Sequence, residues 1–82
     1  MKIGVELKKI LDKTYAPEQM ISQRFGRFDL TFKTDEKGNA IVLFIGKADK
    51  NGKIKGERFT RNLKTDQMGK IKDHWDNKGK TE

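Results

Sequence analysis

One imidazole, one serine hydroxyl and no thiol are all the chain offers to a serine–histidine or cysteine–histidine nucleophile: His74, Ser22 and an absence of Cys. A working nucleophile needs a base to take its proton and a carboxylate to orient that base, and no local motif joins these two residues. No enzyme is expected. Asp73, His74 and Asp76 supply an imidazole beside two carboxylates, a donor set that a transition metal accepts, but at a strand end the same trio is an ordinary solvated edge. No metal or cofactor is expected.

Three copies of one short pattern carry more information: Thr34-Asp35-Glu36-Lys37-Gly38, Ala48-Asp49-Lys50-Asn51-Gly52 and Thr65-Asp66-Gln67-Met68-Gly69. Asp followed by Gly suggests a calcium loop, and the register refutes it. With Gly52 as the sharp-turn glycine, the first and last ligand positions fall on Lys47 and Arg58; Gly38 gives Lys33 and Phe44, and Gly69 gives Lys64 and Trp75, where carboxylates are required. The pattern is instead a turn. Asp bonds backbone N–H groups just ahead of it, and Gly takes the left-handed region without steric cost. Gly46 to Lys53 resembles a phosphate loop only superficially, because Ile54 stands where a Ser or Thr must hold magnesium. Arg24-Phe25-Gly26-Arg27-Phe28 has the flavour of an RNA-binding aromatic strand, but the order of elements is not that of the two-helix RNA-recognition fold.

Charge is the remaining chemical signal. Residues 47 to 72 hold nine Lys or Arg against Asp49, Glu57 and Asp66, which places +6 of the net charge of +7 in about a third of the chain. Such a field suits an anionic partner: nucleic acid, an acidic protein or an anionic membrane surface. The plainer use of the same lysines is to keep a small sheet soluble and blunt its edges.

The elements that must position these charges follow from turn spacing and periodicity. Ile3, Leu7, Ile10 and Leu11 form one helical stripe, so a helix is expected over about 3–14, ended by Ala16-Pro17. Pro17 to Met20 could open a second helical turn. Strands are expected over about 24–34, 40–48, 53–64 and 70–76. In the first, Phe28, Leu30 and Phe32 alternate with polar residues. The second is apolar at both parities, as in a central strand covered on both sides or one with a face against a partner. In the third, Ile54 disagrees in parity with Phe59 and Leu63, and a bulge at Gly56-Glu57 would reconcile them. In the fourth, Ile71 and Trp75 point inward. The expected fold is α+β: an N-terminal helix packed on one face of a four-stranded antiparallel meander, a single domain over 1–76 with a flexible basic tail at 77–82.

Ile, Leu, Val and Phe make up 19 of 82 residues, enough for a folded but small core that no disulfide reinforces. The charged N-terminal residues lack the apolar run of a signal peptide, and no stretch is long enough to span a membrane, so a cytoplasmic protein away from membranes is expected. With the bulge in place, Lys53, Lys55, Arg58, Lys64, Lys70, Lys72 and His74 project from the face away from the helix, with Phe44 or Val42 among them. Cations for phosphates beside a ring for stacking are what a sheet needs to hold single-stranded nucleic acid. The alternative expectation is a protein-interaction module or homodimer, pairing through the second strand or a sheet edge.

Overall fold

The computed structural model describes residues 3–81. One short helix, α1 (Val5–Leu11), precedes five strands: β1 (Met20–Phe25), β2 (Phe28–Thr34), β3 (Ala40–Ala48), β4 (Ile54–Thr65) and β5 (Ile71–Lys80). All neighbours are antiparallel, and the sheet order equals the chain order, which makes the sheet a meander.

The three repeated turns form as their residues dictate. In each, the Asp Oδ1 accepts N–H bonds from the residues two and four ahead, at 2.9–3.0 Å. The Asp N–H in turn bonds the carbonyl four residues on. Gly38, Gly52 and Gly69 take φ of 84°, 81° and 78°.

The expected first strand is two strands. Gly26-Arg27 is a two-residue hairpin turn with Gly26 at φ 60°, and glycine at the first central position is the signature of such a turn. Folding back there pairs Ile21 with Phe32 and Gln23 with Leu30. The helix is shorter than 3–14. Gly4 offers it no side-chain cap, and beyond Asp12 the chain is drawn onto the first Asp-Gly turn, where Thr14 bridges Asn39 and the Tyr15 N–H bonds the Gly38 carbonyl at 2.9 Å. Pro17-Glu18 is a turn rather than helix, with Glu18 at φ 52°. Buried Thr34 fixes it: its hydroxyl donates to the Ala16 carbonyl at 2.7 Å and accepts the Gln19 N–H at 2.9 Å.

The helix stripe meets the sheet as its spacing requires. Leu7 and Leu11 share one buried cluster with Leu30, Phe32, Leu43, Ile45 and Phe59. Phe32, fully buried at its centre, contributes about 2–3 kcal/mol by burial alone. The Tyr15 ring lies 4.9 Å from it, and the Tyr15 hydroxyl donates to the Ile10 carbonyl at 2.6 Å. Removal from water pushes the Tyr15 pKa up.

Three further expectations are corrected. The β3–β4 ladder runs without a break from Ala48↔Ile54 to Val42↔Thr60, so no bulge sits at Gly56-Glu57 and Ile54 faces away from Phe59. The register shift lies in the β4–β5 ladder instead, where Glu57↔Lys80 and Phe59↔Asn77 leave an extra residue in β5, beside Gly79 at φ 92°. The expected tail is also paired: β5 continues to Lys80, and Thr81 is fastened to β4 by its N–H to the Gly56 carbonyl at 2.9 Å and its hydroxyl to the Ile54 carbonyl at 2.9 Å. Glu82 lies outside the described residues. Finally Ile71, expected inward, is 69% exposed, because it opens β5 beyond the reach of the seven-residue helix.

Candidate functional site

The unbroken ladder fixes which β4 residues share a face. Glu57, Phe59, Arg61 and Leu63 lie on the helix side, while Ile54, Gly56, Arg58, Thr60, Asn62 and Lys64 lie on the other. Cross-strand pairing extends that second face: Arg58 stands opposite Phe44, Phe44 opposite Thr31, and Thr31 opposite Ser22.

This face is curled into a groove, and two glycines allow the curl. Gly46 and Gly56 are direct partners, and a Cβ on either would come within 2.0 Å of a backbone carbonyl oxygen, of Lys55 or Ile45 respectively. Beyond this close approach the β3–β4 hairpin arches over the face. The Ala48 N–H reaches Asp29 Oδ2 at 2.9 Å, and Ile54 is buried against residues of the first three strands. A cavity of about 500 Å³ results, with Met20, Phe44 and Ile54 as apolar wall, Thr31 and Thr81 contributing hydroxyls, and Lys53 and Arg58 as cations; Lys80 also lines it, standing opposite helix-side Glu57. Among the described residues no carboxylate lines it.

Of the residues expected in a basic face, Arg58, Lys64 and Lys72 do share it, Lys53 is at the groove, and Phe44 is half-buried in its wall. Lys70 lies in the last turn, its N–H on Asp66 Oδ1. Lys55 is a correction: without the bulge it projects to the opposite side, directly across from Lys47. Lys80 and Met20 were hidden from sequence reasoning, Lys80 because it fell in the supposed tail and Met20 because the first hairpin went unrecognised. Lys33 and Arg24 also belong to this face, opposite Val42 and Asp29.

The electrostatics of the two faces differ. On the helix side the Arg61 side chain, 6% exposed, donates to Asp73 through Nε at 2.7 Å and Nη2 at 2.6 Å, to Asp12 at 3.2 Å, and to the Leu11 and Ala40 carbonyls. It also stacks over Trp75. Those bonds hold the Asp73 carboxyl below its usual pKa and push Arg61 further up. On the groove side the strand carboxylates are already engaged. Asp29 accepts from Ala48 and lies 3.9 Å from Arg24, and Asp76 is bound by His74 Nε2 at 2.7 Å and by Asn62. Among the described residues Lys33, Lys53, Arg58, Lys64, Lys72 and Lys80 form no ion pair. Lys64 and Lys72 even stand directly opposite one another, where like charges repel.

Ser22 and His74 are not brought together. They occupy the two edge strands with three strands between, and Ser22 exchanges a hydrogen bond with Thr31 at 3.0 Å. No group of three metal-binding side chains converges among the described residues, and no described helix is long and apolar enough to cross a membrane. Compared with known proteins, the chain matches no family model, no curated protein and no solved structure.

Proposed function

We propose that this chain is a small non-enzymatic module, working in the cytoplasm, that binds single-stranded nucleic acid through the sheet face away from α1. The observation that carries the reading is a set of cations on one face without carboxylate partners among the described residues, gathered around a groove with a half-buried aromatic ring. A face built only for solubility gains nothing from the Lys64–Lys72 repulsion; a phosphate between the two ammonium groups would relieve it. From Arg58 to Lys64 the cations extend along β4 for roughly 20 Å at about 3.3 Å per residue, room for several nucleotides of an extended strand.

Fluorescence-anisotropy titration with a labelled oligonucleotide tests this. Three to five phosphate contacts predict a slope of log K on log salt of about −2 to −3.5 on single strands, and an affinity loss of about ten- to hundredfold between 50 and 200 mM salt. Lys64→Ala with Lys72→Ala should reduce the slope by about two contacts. Absence of binding at about 50 mM salt, to single strand and duplex alike, ends the proposal.

A second reading rests on the sheet edges. β3 is hydrogen-bonded on both sides, so it could meet a partner only through the face that carries half-buried Phe44, while β1 and β5 each have one side without a partner strand among the described residues. A second copy, or an acidic partner drawn by the charge, could add a strand there. Sedimentation as a monomer at high micromolar concentration would dispose of the homodimer.

A further inference from the structure

We infer that the groove under the β3–β4 hairpin is a receptor for a single unstacked nucleotide, its base against Phe44 and its phosphates on Arg58 and Lys53. The inference rests on the nucleic-acid reading of this face and adds to it what enters the groove and what is refused.

A cavity of about 500 Å³ lies within the roughly 300–1,000 Å³ of ordinary small-molecule sites, so it takes one base with its sugar rather than a helix or a stack of bases. Its wall is apolar through Met20, Phe44 and Ile54, which suits a ring removed from water, and among the described residues its charged groups are all cationic, which suits the anion attached to that ring. Arg58 is the direct cross-strand neighbour of Phe44, so the guanidinium and the ring serve one and the same nucleotide. Met20 has side chain to contribute: it is 59% exposed at the edge of the sheet.

The site is also constructed rather than incidental. The hairpin roof exists only because Gly46 and Gly56 approach without side chains, and the far wall is closed by Thr81, whose hydroxyl accepts the Gly56 N–H at 3.0 Å while donating to the Ile54 carbonyl. Duplex bases are stacked and paired, and a base reaches such a groove only when unstacked or flipped out. The groove should therefore favour single strands by geometry, while the lysines outside it attract either form.

The test separates the groove from the face. Labelled single-stranded oligonucleotide is titrated into the parent protein, Phe44→Leu and Arg58→Gln, with Trp75 fluorescence as the check that each variant is folded. Phe44→Leu keeps an apolar side chain in the wall and should lose about 5- to 150-fold in single-strand affinity with an unchanged salt slope. Arg58→Gln should lower the slope by about one contact. A nucleoside 5′-monophosphate should shift the amide resonances of Phe44, Ile54 and Arg58 saturably, and inorganic phosphate should need a higher concentration and leave Phe44 unmoved, because it brings no base. The inference is overturned, with the nucleic-acid reading intact, if Phe44→Leu binds single strand like the parent and still loses affinity with salt. It is overturned together with that reading if the parent binds no oligonucleotide, including the case in which an acidic peptide occupies the groove instead.

Discussion

Arg58 and Arg61 lie three positions apart on β4, and an odd spacing on a strand sends them to opposite faces. Arg61 is buried under the helix end, bidentate to Asp73, bound to Asp12 and to two carbonyls, and stacked over Trp75. It joins α1 to β3 and β5. Arg58 is exposed beside Phe44, with no carboxylate partner among the described residues. The difference teaches that charge alone identifies no role. One guanidinium has every donor direction filled by its own chain, and its removal damages the fold; the other has its directions open, and its removal should affect only what binds.

The sharpest way to break that comparison is to make the same substitution twice. Arg61→Met should cost about 3–4 kcal/mol in urea unfolding, somewhat below the loss of a wholly buried pair because Asp73 and Asp12 keep part of their surface in water. Arg58→Met should change stability by no more than about 0.5 kcal/mol. Comparable losses in the two variants would show that Arg58 is structural and would remove the distinction between the faces.

A smaller effect sharpens the contrast at the turns. Gly38 and Gly69 have nearly the same φ, but a Cβ on Gly38 would lie 2.1 Å from the Tyr15 carbonyl oxygen, whereas a Cβ on Gly69 meets nothing within 4 Å. Gly38→Ala should therefore cost about 2–3 kcal/mol, combining the left-handed penalty with the clash, and Gly69→Ala about 1 kcal/mol. Thermal unfolding of the two variants decides it, and equal shifts would mean that the chain after α1 does not dock on the first turn.

The smallest expected effect is on acid stability. Arg61 holds Asp73 below its ordinary pKa of 3.8, so near and below that pH the unfolded chain binds more protons than the folded one. The stabilisation is present above that range and is lost as pH falls through the folded value. Since Arg61→Met abolishes this linkage, the stability gap between parent and variant should narrow from pH 6 to pH 3. Asp49, held low chiefly by the backbone N–H of Lys53, affects both proteins alike. A gap independent of pH would show that the Arg61–Asp73 pair is not energetically coupled.

Much of this architecture can be read from local chemistry. Asp and Gly at fixed spacing determine three hairpins, because the Asp carboxylate and the left-handed Gly act within five residues and need nothing beyond them. The i, i+4 stripe of α1 and the alternation around Phe32 likewise determine which side chains enter the core. The cations at Arg58, Lys64 and Lys72 and the ring of Phe44 were legible as one face for the same reason. Tertiary structure alone decided the rest. The side to which Lys55 and Ile54 turn depended on where the irregularity in β4 and β5 falls, a matter of pairing between strands that are distant in sequence. Lys80 joined the groove only because β5 found a partner along its whole length, and Gly46 met Gly56 only through the β3–β4 register. Arg61 looked like one more surface cation until the helix end, the β3 carbonyl and Asp73 converged on it, since such a constellation is fixed by packing in three dimensions and leaves no trace in local spacing.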